Sequence, residues 1–194
     1  LSHLKAEGLA QELAAGDGLA WPGGALFSVR ISLTEKGAAQ PDRVLQLLFA
    51  YVDMLREEGP QRWLYDEQSR LAELAFRFRE QASPMGYVSA LASGMQFYAP
   101  EDILRGPYMM DRYDDAILAE LLEQLRPENA LVTLNDASVQ GEQLSQYYQV
   151  PYSKQPLDIT PFTGSDEAAI AKTLHLPAPN EFIAEDVSLV ELPP

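Results

Sequence analysis

Chemistry in a protein needs groups that ionise, ligate or attack, and this 194-residue chain is poor in them. It has no cysteine and two histidines, so thiolate zinc and iron–sulfur sites are excluded and a His–His pair on one helix cannot be built. His3 stands in Ser-His-Leu and His175 in Thr-Leu-His-Leu-Pro, and we read neither as having a second histidine or a ligand-spaced carboxylate close by. No Gly-x-Ser-x-Gly elbow offers a serine nucleophile. Asp114 and Asp115 are adjacent, so on a helix they point in different directions, and acids there complement the dipole of a first turn. Asp42, just after Pro41, reads the same way. Gly16, Gly18, Gly23 and Gly24 precede a strand, whereas phosphate-cradling loops follow a strand and open a helix. Phe76, Phe78, Tyr87, Phe97 and Tyr98 fall at helical spacing and read as core rather than as a base-stacking platform. Residue by residue, no catalytic site emerges.

The elements that would position these side chains follow from periodicity. Leu9, Ala10 and Leu13 suggest a helix from Lys5 to Ala15, closed by Gly16-Asp17-Gly18 as C-cap and turn. From Ala25 to Leu33, Leu26, Ser28, Arg30 and Ser32 alternate with Phe27, Val29, Ile31 and Leu33, a half-buried antiparallel strand with Arg30 facing solvent or a cavity. After Pro41 the spacing of Val44, Leu47, Leu48, Tyr51, Met54 and Leu55 predicts an amphipathic helix ending at Gly59. Pro60 restarts a second helix, with Leu64, Leu71, Leu74, Ala75 and Phe78 as its apolar stripe. Ser83-Pro84 caps a third, with Tyr87, Leu91, Met95 and Tyr98 inward. A further helix follows Asp114 on Ile117, Leu118, Leu121, Leu122 and Leu125. Ala130–Leu134 reads as a strand, and Tyr147–Tyr152 as a segment able to pair in the same sheet. This order is α+β rather than alternating βαβ. Residues 1–157 form the domain, and 158–194, rich in proline, an extended segment that packs over a surface or leads into something else.

Composition narrows the function classes. Lys plus Arg number 14 against 29 Asp plus Glu, a net charge of −15, which repels phosphate backbones and anionic lipid and argues against nucleic-acid partners. The longest uncharged run, Gln81 to Pro100, is too polar and too broken to insert in a membrane, so the chain reads as soluble. Its N-terminus shows no basic region followed by an apolar core.

Several stretches in order carry a resemblance. Pro60-Gln61-Arg62-Trp63, Ala75-Phe76-Arg77-Phe78, Gly86-Tyr87, Tyr98-Ala99-Pro100, Leu125 to Asn129, Tyr148 to Tyr152, and Leu176-Pro177 with Asn180 to Ile183 are similar to the pitrilysin and insulin-degrading-enzyme family. The likeness runs through nearly the whole chain. In place of a Gly- and Glu-bearing segment found in relatives after Ser-His-Leu, Leu4 here runs directly into Lys5. The resemblance implies an inverted-motif zinc metallopeptidase of four α+β domains enclosing a chamber, each an antiparallel sheet packed on one face by several helices. Zinc is held there by His-x-x-Glu-His in the first domain. No such motif occurs in this chain, which resembles the non-catalytic second domain. It therefore implies no cofactor here, zinc in the catalytic domain of the full-length parent, and peptides and the parent's other domains as partners.

By resemblance this domain supplies chamber wall and an exosite where a substrate's N-terminal end adds alongside an edge strand. Carried over by position, Leu13, Ala15, Gly16 and Asp17 form the anchoring turn, and the strand begins near Gly23-Gly24. A Gly-rich turn exposes backbone groups, an edge strand offers unpaired N–H and C=O, and Asp17 can meet an α-ammonium. A plain helix C-cap at Gly16 to Gly18 is the structural alternative. A stand-alone peptide-binding or scaffold protein of the same fold is the functional one. Bacterial relatives include oligopeptide-degrading and cofactor-precursor-processing enzymes, in periplasm and cytoplasm, and this sequence does not separate them.

Overall fold

In the computed structural model, which describes residues 1–21, 23–137, 140–162, 170 and 172–188, the first helix stops at Gly8 and not at Gly16. Helix α1 spans Ser2–Ala6 and runs through the Leu4–Lys5 junction. Gly8 adopts φ 71°, a left-handed conformation a side chain would strain. Its N–H donates to Lys5 O at 2.9 Å and that of Leu9 to Leu4 O at 2.8 Å, the paired bonds of a Schellman ending. Leu4 and Leu9, the residues that motif brings together, are both buried.

Released from the helix, the chain continues as strand β1, Ala10–Trp21, so the helix expected to Ala15 and the turn expected at Gly16-Asp17-Gly18 are corrected: these residues lie within a strand. Strand β2, Gly24–Leu33, matches the alternating pattern and pairs with β1 antiparallel. Two irregularities interrupt the ladder, where Gln11 and Gly18 are extra residues on β1. Between them, Glu12 to Asp17 pair regularly with Ser32 to Phe27.

The base of this hairpin is clamped. Helix α2, Glu35–Ala38, is capped by Thr34, whose Oγ1 accepts from Gly37 N at 3.0 Å and donates to Gly8 O at 2.7 Å. Thr34 N–H donates to Leu9 O at 3.0 Å. A Cβ on Gly37 would collide with the Leu9 carbonyl, so only glycine lets the two segments approach this closely. Helix α3, Pro41–Glu58, begins with its proline in the first turn and ends at Gly59 with φ 71°. Leu4, Leu9, Ala10, Val44 and Leu47 form the core, against which Leu13, Ile31 and Leu33 of one hairpin face pack. Helices thus cover one face of the antiparallel pair. Farther along α3, Phe49 stacks against Phe162 at 5.6 Å, and Gln46 Nε2 donates to Pro161 O at 3.1 Å. Val52 and Ala50 are also buried, so α3 hides more of its circumference than a single stripe.

The chain divides into two compact units: Leu1–Gly59 with Ala119–Leu176, and Pro60–Leu118 with Pro177–Pro194. The second holds α4, Arg62–Arg77, and α5, Pro84–Gly94. Ser83 caps α5 as expected, its Oγ accepting from Gly86 N at 3.3 Å. The stripes expected to be buried are not: Leu71, Phe78, Tyr87 and Met95 are exposed, and no residue of either helix is fully buried. What holds α4 is polar and aromatic. Tyr65 meets Tyr113 edge-on at 5.2 Å, Tyr113 OH donates to Pro60 O at 3.2 Å, and Asn180 N donates to Glu67 Oε1 at 2.8 Å. That last bond and Arg77 Nη2 to Val187 O at 3.2 Å lay part of the C-terminal segment along α4. Residues 163–169, 171 and 189–194 of that segment lie outside the described residues.

Helix α6, Asp115–Gln124, crosses the division between the units. Leu118, Leu122 and Leu125 are half-buried, while Ile117 and Leu121 are exposed. The strand expected over Ala130–Leu134 does not form: no described segment offers it a ladder, and Leu131 is exposed. Of Tyr147–Tyr152 only Pro151–Tyr152 (β4) pairs, with Gln143–Leu144 (β3), in a two-stranded ladder of its own and not in the β1–β2 sheet.

Candidate functional site

The six residues expected to hold a peptide all lie on the β1–β2 hairpin, in two groups. Leu13, Ala15 and Asp17 face Ile31, Val29 and Phe27 across the ladder. Alternation puts the three on one face, and burial falls along it: Leu13 packs against the core, while Ala15 and Asp17 are exposed. Gly16, between them, pairs with Ser28. The Asp17 carboxylate forms no ion pair among the described residues. Gly23 takes φ 95° at the hairpin turn, and the ring of Trp21 lies over Gly24, where a Cβ would come within 2.8 Å of it. Gly23-Gly24 therefore make the tip of the ribbon, beyond the Leu13–Asp17 group, which pairs with Ile31 to Phe27 nearer its base.

Each strand of this sheet has one partner, so among the described residues the outer edge of β1 is unpaired. Such an edge presents a row of N–H and C=O groups to anything extended. Beside it, Leu1 and Lys5 of the α1 end and Gln11 to Ala14 of β1, with Arg30 and Ser32 of β2, line a cleft of ≈ 330 Å³. Of the six expected residues only Leu13 borders it. Arg30 faces this cavity, as its place on the polar side of β2 suggested. Lys5 escaped notice because it was assigned to the start of a longer helix.

The two histidines and the Asp114–Asp115 pair are engaged structurally. Glu7 stands four residues after His3, a spacing the sequence reading overlooked, and its Oε1 lies 3.1 Å from His3 Nε2. The same carboxylate takes Arg43 in a two-pronged bond, 2.7 Å to Nη2 and 3.2 Å to Nε. That guanidinium holds the Glu7 carboxyl below its ordinary value, chiefly by hydrogen bonding, with His3 adding to the effect against partial burial. A guanidinium at the heart of the cluster repels a metal cation, so these residues do not fit a zinc site. Among the described residues no group of three metal-ligating side chains converges. His175 Nδ1 lies 2.8 Å from the Leu176 carbonyl. Asp114 caps α6, its Oδ1 accepting from Ile117 N at 3.2 Å, and Asp115 Oδ1 accepts from Ala116 N at 3.0 Å. No helix among the described residues is long and apolar enough to cross a membrane.

Comparison with known families decides the kinship. The family described as the middle or third domain of peptidase M16 matches residues 76–193, more than half of the chain. The chain belongs to that M16 family. The M16 domain is 29% identical over 194 residues to human insulin-degrading enzyme, covering 99% of this chain and 19% of the enzyme. It is 32% identical over 188 residues to the peroxisomal insulin-degrading enzyme-like 1 of Arabidopsis thaliana, covering 96% of this chain and 19% of that protein. The crystal structure of pitrilysin matches with a TM-score of 0.88 at 27% identity, over 98% of this chain and 20% of that one. The M16 domain is thus α+β and belongs to the family of middle or third domains of peptidase M16, and it spans about a fifth of the length of these relatives.

Proposed function

We propose that this domain holds peptide for a zinc metalloendopeptidase whose catalysis occurs elsewhere in a longer parent: it supplies part of a substrate chamber and an exosite on β1. The observation that carries the reading is the unpaired outer edge of β1 in a chain of the M16 peptidase family. Leu13, Ala15 and Gly16 lie on the stretch whose alternate residues turn main-chain groups to an added strand, and the exposed carboxylate of Asp17 receives the peptide's α-ammonium. Gly23 and Gly24 set the turn that keeps β2 on the opposite side of β1. Residues 1–157 are the working domain, and 158–194 lead toward the next part of the parent. Zinc, in this reading, supplies the parent's hydrolytic chemistry from its catalytic domain, and the other domains are this one's partners.

Each added main-chain hydrogen bond contributes about 0.5–1.5 kcal/mol net, so binding at the edge alone is weak. An amide-resolved NMR titration of the folded chain with an extended peptide bearing a free amine tests this. Shifts confined to residues 13–30 are expected, weaker with an N-acetylated peptide. A folded protein that shows none loses the exosite.

A further inference from the structure

The cleft beside β1 carries cations that form no ion pair among the described residues. Lys5 of α1, Arg30 of β2 and Glu12 of β1 all line it. In a chain of net charge −15, most arginines are taken by a carboxylate, as Arg43 is by Glu7, Arg62 by Asp66 and Arg105 by Asp111. Lys5 and Arg30 form no ion pair among the described residues, although carboxylates outnumber cations two to one. The stretch of β1 at the cleft, Glu12 to Ala14, lies in the regular part of the ladder that also holds Asp17.

We propose that this cleft reads a carboxylate on the bound peptide, four or five residues in from its amino end. The inference rests on the reading of β1 as the edge to which peptide adds. Geometry sets the position. A peptide with its amine at Asp17, running antiparallel to β1, advances about 3.4 Å per residue. Its fourth and fifth residues then lie opposite Ala14 and Leu13, which border the cleft. Successive side chains point to opposite faces, so one of those two residues turns toward the side of Ala14 and Arg30, which are paired across the ladder. From the added strand to β2 is two strand spacings, about 10 Å, which a glutamate and an arginine side chain span together. Glu12 leaves the cleft one positive charge in excess, enough to favour a single carboxylate and to disfavour lysine or arginine there. The edge is thereby more than a sequence-blind strand acceptor: it selects peptides that are acidic just inside their amino end.

The carboxylate has two sources, an acidic side chain within a longer peptide or the terminal carboxylate of a short one. Fluorescence anisotropy with the 194-residue chain separates them. One set is C-terminally amidated decapeptides with Glu or Gln at each position from two to seven; the other is a pentapeptide as free acid and as amide. Glu should bind about two- to five-fold tighter than Gln at position four or five alone, and the pentapeptide acid tighter than its amide by a similar factor. Arg30→Gln and Lys5→Gln should remove that preference while leaving the Gln peptides bound as before. Either source alone supports the cleft. A preference at no position, or one that survives both substitutions, overturns it while the edge reading stands. Loss of binding by every free-amine peptide overturns both.

Discussion

Leu9, just before β1, is completely buried, while Leu19, on the same ribbon, is 59% exposed. The two leucines mark the two ends of one hairpin. At the base, Leu13, Ile31 and Leu33 pack on Leu4, Val44 and Leu47, and Thr34 and Gly37 bind the chain to the end of α1. At the tip, Trp21, Leu26 and Phe27 are about as exposed as Leu19, although they are as apolar as anything in the core. A two-stranded ribbon is marginal by itself, so the base holds the tip. The difference teaches that burial here is set by what helices reach, not by the hydrophobicity of the strand.

That contrast can be broken by experiment, most decisively in the core. Leu9→Ala should cost about 2–5 kcal/mol in denaturant unfolding, and Leu19→Ala about 1 kcal/mol or less. Equal costs would show that the tip is as firmly packed as the base. Gly37→Ala should come next, at about 1–3 kcal/mol, because its Cβ meets the Leu9 main chain, which is pinned on both sides. Two glycines with positive φ sharpen the comparison further. Gly8→Ala should lower global stability by about 1 kcal/mol, whereas Gly23→Ala should act mainly on local opening of the tip, seen as faster amide exchange there with little change in the unfolding midpoint.

The smallest effect concerns pH. Glu7 titrates below its ordinary value of 4.5 in the folded protein because Arg43 is bonded to its carboxylate. A depressed carboxyl contributes stability that is fully present above pH 4.5 and is lost as pH falls through the lowered value. With both side chains about a third exposed, solvent screening limits this to about 0.5–1 kcal/mol. Unfolding free energies of Glu7→Gln and the parent chain should therefore differ at pH 6 and converge as pH falls below that lowered value. Parallel curves would mean the pair contributes nothing.

How much of this was legible in the sequence depended on whether a signal was local. Pro41 to Gly59 and the Ser83-Pro84 start of α5 were readable, because caps, prolines and helical spacing act within a few residues. β2 was readable from its alternation. The first helix was misjudged because Leu9, Ala10 and Leu13 fit either period, and the deciding residue was Gly8, whose left-handed turn ends α1 before the apolar run begins. Ala130–Leu134 has the composition of a strand, but a strand requires a partner edge that spacing alone cannot reveal. As for the site, only Gly23-Gly24 were expected at a strand's start; Leu13 and Ala15 were expected in a helix and Gly16 and Asp17 in a turn, and all four lie in β1. The Lys5–Arg30 cleft was invisible because it joins residues brought together only by the folding of α1 back onto β1.

The two extra residues on β1, Gln11 and Gly18, have a consequence for anything laid along its edge. Each twists the strand and breaks the even spacing of its free N–H and C=O groups. Between them lies a graduated scale with a stop at either end, Glu12 to Asp17. A visiting strand can slide along a uniform edge, but on this one it fits in step only against the marked interval. In the proposed exosite, the hairpin would measure a peptide from its first residue without reading most of its letters.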